Sequence, residues 1–185
     1  VLSHFSYTFE KGFIYGITAP SGTGKTTLLN LIGNILKPAQ GEIETDFKTG
    51  IAYVFQEPEL LSQLTIAENI ALPLAAYLKK EIAFEQAISI LQKMELDGFE
   101  NRFPNELSFG QQQRAAIARA LTYPSPLLLM DEPFKGLDEA LSRRIIKRIR
   151  ERQTENGQTI LFTSHNPGEL RLFADKTVRL DPTSH

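Results

Sequence analysis

Along the chain, short continuous apolar runs alternate with longer stretches in which apolar residues recur every three or four positions. The runs at 14–18, 51–55, 127–130 and 159–163 are rich in Ile, Leu, Val and Phe and predict strands, with the all-apolar 127–130 buried on both faces. Phe5, Tyr7 and Phe9 alternate with Ser6 and Thr8, which predicts a strand with one buried face. Gly41-Glu42-Ile43 starts a further short strand, and residues 177–180 read as the last one. Helical spacing puts Leu28, Leu29, Leu31, Ile32, Ile35 and Leu36 on one side of a helix that Lys37-Pro38 stops. From about residue 60 to 121 the pattern is mostly helical: Ile66, Ile70, Leu74 and Leu78, then Ile82, Ala83, Ile88 and Leu91. Pro73 should kink or shorten the first of these helices. Ser108 stands where an N-cap would open a helix through Leu121, and Asp138 caps another to about Arg152. Strands alternating with helices predict an α/β fold, a mostly parallel sheet covered on both faces.

Composition narrows this picture. A length of 185 residues fits one domain, or one domain with an inserted subdomain, and suffices for a real core. A formal charge of −2 supplies no general field for nucleic acid or an anionic membrane. With no Cys, the chain has no disulfide, zinc-thiolate site or thiol nucleophile, and it suits a reducing compartment. No run reaches the ~18 consecutive apolar residues of a membrane span, and the chain reads as soluble. Arg143, Arg144, Lys147, Arg148, Arg150 and Arg152 crowd one predicted helix. A solvated basic face is the expectation there, with a headgroup or partner contact as the alternative.

The chemistry centres on Ala19-Pro20-Ser21-Gly22-Thr23-Gly24-Lys25-Thr26-Thr27, entered by the first buried strand and left by a helix. Small residues let successive N–H groups curl around phosphate oxygens, and the helix N-terminus adds roughly half a positive charge. Lys25 would bridge the terminal phosphates and the Thr26 hydroxyl would ligate Mg²⁺. In sheets of this kind ligands lie beyond the carboxyl ends of the strands, where Gln56, Asp131-Glu132 and His165 also fall. One of the two acids can hold Mg²⁺, and the other can polarise an attacking water. Gln56 could orient that water or join the metal shell, and His165 could meet the γ-phosphate or the catalytic carboxylate. Each alone has a bland reading, as a solvated strand end or a helix start; the set around a phosphate loop favours function.

In order, these motifs resemble those of ATP-binding-cassette (ABC) ATPases over nearly the whole chain. Ala19 to Thr27 is similar to Walker A, Gln56 to the Q-loop, and Leu107-Ser108-Phe109-Gly110-Gln111 to the ABC signature. Residues 127–132 resemble Walker B with its catalytic Glu132, Lys135-Gly136-Leu137-Asp138 the D-loop, and His165 the switch histidine. The resemblance implies a RecA-like P-loop NTPase core over 1–58 and 122–185, with a helical signature subdomain at 59–121. It implies ATP and Mg²⁺ as ligands, with Thr26, Gln56 and Asp131 serving the metal and Glu132, His165 and Gln56 serving catalysis. It implies a head-to-tail dimer with a second copy, in which Ser108, Gly110 and Gln111 would meet ATP in trans and Asp138 would join the nucleotide contacts. Integral-membrane permease subunits, and a solute-binding protein indirectly, are the implied partners; nucleic acid is not. The implied place is cytoplasmic, peripheral on the inner membrane face.

Two positions depart from the family pattern: Ala19 and Phe109 each stand where a glycine is usual. Phe109 is expected to point away from the nucleotide. Neither Phe5 nor Tyr7 is assigned the role of the aromatic that stacks on adenine in relatives. The wording of residues 64–74 and 131–139 resembles importers of the nitrate, sulfonate, taurine and thiamine-precursor branch. The alternatives are a lipoprotein-release ATPase, a soluble non-transport ABC ATPase, or a module that binds nucleotide without hydrolysis.

Overall fold

Tyr15 and Ile17, side by side on one face of β1 (Ile14–Thr18), are fully buried, and the sheet is built outward from this strand. The computed structural model describes residues 5–20, 22–45 and 50–180. The other strands are β2 (Ala52–Val54), β3 (Leu127–Met130), β4 (Thr159–Thr163) and β5 (Lys176–Arg179). They form one sheet in the order β2-β3-β4-β1-β5, and the β3–β4, β4–β1 and β1–β5 pairs are parallel. Ile17 sits opposite Thr163, and Met130 opposite Phe162, so β1, β3 and β4 end together at one edge. The mostly parallel α/β sheet expected from the sequence is therefore present.

The chain divides into two compact units. The first comprises residues 1–53, 125–132 and 149–185, and its core joins Tyr15, Ile17, Leu28, Leu29, Leu129, Leu161 and Val178. On the other face of β1, a Cβ on Gly16 would stand 2.7 Å from Leu170 Cδ2. Only the missing side chain lets α6 (Pro167–Phe173) approach so closely. The second unit comprises 54–124 and 133–148. It holds α2 (Ile66–Ala71), α3 (Lys80–Lys93) and α4 (Phe109–Thr122), packed through Ile66, Ile70, Ala83, Leu91, Ala115 and Ala118. Helix α5 (Glu139–Asn156) starts in this unit, with Asp138 Oδ1 accepting the Leu141 amide at 2.9 Å as its cap.

Several local expectations hold and several do not. Pro73 ends α2, and the chain continues as a 3₁₀ turn over Leu72–Leu74. Ser108 caps α4 in a reciprocal box with Gln111, as its position predicts. Residues 5–9 form no strand. The Phe9 ring meets Tyr15 edge-on at 5.0 Å, and the Glu10 amide donates to the Tyr15 hydroxyl, but no described strand offers this segment a ladder. Residues 41–45 are likewise irregular and exposed. The helix α1 (Lys25–Ile32) stops short of Lys37. The Gly33 amide bonds Leu29, Asn34 turns left-handed at φ 57°, and both Ile35 and Leu36 donate to the Asn30 carbonyl, so these two apolar side chains face out. Helix α5 runs past Arg152 to Asn156.

The basic run on α5 is solvated as expected at Arg143, Arg144 and Lys147, which are exposed, but several of its guanidinium groups also hold partners. Arg144 grips Glu95 with two bonds, at 2.8 and 3.0 Å, and Arg148 joins the same carboxylate at 3.2 Å. Arg114 of α4 donates to the Met94 and Glu95 carbonyls. Three guanidinium groups thus close the C-terminus of α3, where carbonyls lack helical partners and the dipole favours cations. Farther along, Arg150 donates to the Phe173 carbonyl and to Asp175.

Candidate functional site

Strand β1 delivers the chain into a loop closed by its own bonds. Thr23 donates its hydroxyl to the Pro20 carbonyl at 2.8 Å, and its amide bonds the same oxygen. Gly22 and Gly24 have φ of 78° and 102°, a region that favours glycine, and Gly24 is the N-cap of α1. Ala19 is buried in the core of the first unit. Ser21 lies outside the described residues. Lys25 is buried, and its ammonium donates to the Ala19 carbonyl at 3.0 Å and the Pro20 carbonyl at 3.4 Å, folding back under the loop. Thr26 and Thr27 follow in the first turn of α1, and Thr26 aims its hydroxyl at Asp131.

Asp131 is the pivot. Its carboxylate is almost fully buried and takes a hydroxyl from each side: Thr26 on Oδ2 at 2.6 Å, Thr163 on Oδ1 at 2.5 Å. The Thr163 oxygen also accepts the Glu132 amide at 2.9 Å. Glu132 has φ 46°, unusual for a residue with a side chain, and this backbone turn separates the directions of the two adjacent acids. His165 Nε2 donates to Glu132 Oε1 at 2.7 Å. Burial, and then the charge of Asp131, push the Tyr53 phenol well above its ordinary value; its hydroxyl bonds Asn30. Beyond His165, Ser164 donates to Glu169 at 2.5 Å, and burial raises the Glu169 carboxyl above its usual range, with the Glu132 charge adding to the rise.

Lys25, Thr26, Asp131, Glu132 and His165 are thus brought together in the first unit, at the shared edge of β1, β3 and β4. Gln56, Ser108, Gly110, Gln111 and Asp138 belong to the second unit. There Gln56 follows β2 half-buried, the capping box joins Ser108 and Gln111, and Gly110 packs its backbone against Gly136. Thr163 was not singled out by the sequence reading, although a hydroxyl residue closing an otherwise apolar buried strand just before Ser-His is a visible signal. The donor set suits Mg²⁺. This ion takes one or two protein oxygens and fills its remaining positions with phosphate and water, and the buried Asp131 carboxylate beside the Thr26 hydroxyl offers that pair.

Comparison with known proteins gives the family of the chain. The family described as ABC transporter matches residues 2–135. Thiamine import ATP-binding protein ThiQ of Shigella flexneri serotype 5b is 38% identical over 184 residues, covering 94% of this chain and 79% of that protein. The ThiQ of Escherichia coli O157:H7 matches to the same extent. Among solved structures, a dimeric post-hydrolysis ATP-binding cassette bound to ADP and Pi superposes with a TM-score of 0.88 at 34% identity. It covers 95% of this chain and 84% of its own. A dimeric bacterial ABC transporter cassette gives a TM-score of 0.87 at 33% identity, covering 94% and 83%. The chain therefore belongs to the ABC transporter family, as one of its ATP-binding, ATP-hydrolysing cassettes.

Proposed function

We propose that this cassette powers import of a small solute through an integral-membrane permease, hydrolysing ATP in a head-to-tail dimer with a second copy of itself. The importing relatives, named for thiamine, support the direction of transport and make thiamine or a related cation the first solute to try. None of the described helices is long and apolar enough to cross a membrane. In this reading the permease supplies the transport path, and the cassette works at the inner membrane face.

One observation carries the catalytic assignment: Asp131 is clamped by Thr26 and Thr163, while the next residue, Glu132, is turned away toward His165. In this reading Thr26 and Asp131, joined by Gln56, hold Mg²⁺, which when bound neutralises charge on the β- and γ-phosphates. Backbone amides from Gly22 to Thr27 wrap the phosphates, and Lys25 exchanges its contacts to Ala19 and Pro20 for phosphate oxygens. Glu132 accepts the proton of the attacking water, and His165 fixes the orientation of its carboxylate. Gln56 positions that water. Ser108, Gly110 and Gln111 approach the phosphates of the partner's nucleotide from the N-terminus of α4, and Asp138 contributes from the loop before α5. The helical signature part, expected at 59–121, carries this trans half.

Mixing Ser108→Arg subunits with wild type in the presence of ATP and Mg²⁺ tests the sandwich. A bulky cation at the trans surface should abolish ATP-driven dimers between two Ser108→Arg chains. Unchanged dimerisation, followed by sedimentation or light scattering, removes Ser108 from the trans site.

A further inference from the structure

Phe109 stands at a signature position where glycine is usual, and its ring is neither loose nor solvent-facing: it is half-buried against the loop before α5. A Cβ on Gly136 would lie 2.7 Å from Phe109 Cδ1, so the ring rests directly on glycine backbone. The neighbouring contact is as close. A Cβ on Gly110 would lie 2.7 Å from the Gly136 carbonyl oxygen and 3.2 Å from Leu137 Cδ2. Two segments far apart in sequence, 109–110 and 136–137, thus meet at a separation only glycine permits, and Gly136 further requires its φ of 79°. Lys135 closes the arrangement. Its ammonium lies 5.7 Å from the Phe109 ring centroid and 3.5 Å from Glu57, the residue after Gln56. All of these residues belong to the second unit.

We propose that Phe109 is a positioning residue that clasps the signature turn to the 135–138 loop, so that the two move as one body. The capping box makes the signature turn stiff, since Ser108 and Gln111 each bond the other's amide. A displacement at Gly136 or Asp138 is therefore passed through the ring and the glycine contact to the Gly110 amide, rather than absorbed. This inference rests on the trans role of Ser108 and Gly110 proposed above. Under it, Phe109 takes no part in binding nucleotide within its own subunit. It sets how sharply two subunits, once ATP-loaded, reach the hydrolytic arrangement. The charge of Lys135, exposed and paired to an exposed Glu57, adds only a small part.

The full-length chain tests this with Phe109→Gly, Phe109→Tyr and Lys135→Met, reading three quantities: kcat for ATP, ADP affinity of the isolated subunit, and melting temperature. The expected result for Phe109→Gly is a kcat about five- to tenfold lower with ADP affinity within about twofold, the size of effect that one lost coupling contact produces. Phe109→Tyr, which keeps the ring, should stay within about twofold of wild type, and so should Lys135→Met. Wild-type turnover by Phe109→Gly overturns the clasp. So does a parallel fall of kcat and ADP affinity, which marks a folding role, and so does equal damage from Phe109→Tyr. The Ser108→Arg chain without wild type separates the two assignments. If it dimerises normally, the trans reading and the clasp fail together; if it is blocked while Phe109→Gly is silent, only the clasp fails.

Discussion

Thr163 donates its hydroxyl to Asp131 across 2.5 Å, from the end of β4 to the end of β3. The same oxygen receives the Glu132 amide, so one buried side chain ties both acids of the site to the neighbouring strand. Thr163→Val preserves shape and removes these bonds, leaving a buried carboxylate oxygen and an amide without partners. The expected loss is about 1–3 kcal/mol of stability, read by denaturant midpoint, with a fall in ATP turnover. Thr163→Ser should recover most of both.

Lys25 is held at the Ala19 and Pro20 carbonyls until phosphates compete for it. Lys25→Ala removes the counter-charge for the terminal phosphates, and ATP affinity should fall at least about a hundredfold, the effect of ~3 kcal/mol for a buried charge-assisted contact. Titration calorimetry or a fluorescent ATP analogue checks it. Near-native affinity would show that backbone amides alone carry the phosphates.

Glu95 lies under Arg144 and Arg148, and the Arg144 hydrogen bonds hold its carboxyl below the ordinary value of 4.5. The sign follows from linkage. A depressed folded-state value means stability that is present above about 4.5 and is lost as pH falls through the depressed value. Wild type should therefore exceed Glu95→Gln in melting temperature at pH 6–7, and the two curves should converge in acid. A constant gap down to acid pH would mean that packing, not charge, holds the end of α3.

Asn69 is fully buried in α2, and its amide closes the preceding loop by accepting the Leu61 amide and donating to the carbonyls of Leu61, Leu64 and Thr65. Asn69→Ala removes the side-chain partner of the Leu61 amide and the Leu64 carbonyl, while the Leu61 and Thr65 carbonyls keep the Leu64 and Asn69 amides. A loss of about 2–4 kcal/mol is expected in thermal or chemical unfolding. Asn69→Asp, which sets a buried carboxylate against those carbonyl oxygens, should lose at least as much at neutral pH.

The strands that carry chemistry could be read directly from the residues, because 14–18, 127–130 and 159–163 are apolar runs whose burial is the same on both faces. Ser108 was readable for a different reason: an N-cap is local and needs no tertiary partner, while the reciprocal bond from Gln111 is added by the structure. What failed depended on neighbours distant in sequence. The alternation of Phe5, Tyr7 and Phe9 predicts a buried strand face, but Phe5 and Tyr7 are exposed, only Phe9 is half-buried against Tyr15, and ladder formation needs a strand alongside. The arginines of α5 read as a solvated stripe, and Arg143 and Arg144 are exposed, but the hold of Arg144 and Arg148 on Glu95 and of Arg148 on the Lys93 carbonyl does not show in the residues alone. Thr163 shows in the sequence only as a hydroxyl closing an apolar run; its role lies in Asp131 and Glu132, which follow another strand. The end of α1 turned on the left-handed Asn34, which apolar periodicity does not register.

The most direct test of the whole account is steady-state ATP hydrolysis by wild type and Glu132→Gln, with ATP binding measured on both. Wild type should hydrolyse ATP only with Mg²⁺ present. Glu132→Gln should bind ATP with about the same affinity and turn over at least about a hundredfold slower, the scale of a lost general base. Hydrolysis by Glu132→Gln at the wild-type rate, or loss of its ATP binding, would contradict the assignment of Glu132 and with it the reading of the site built around Asp131 and His165.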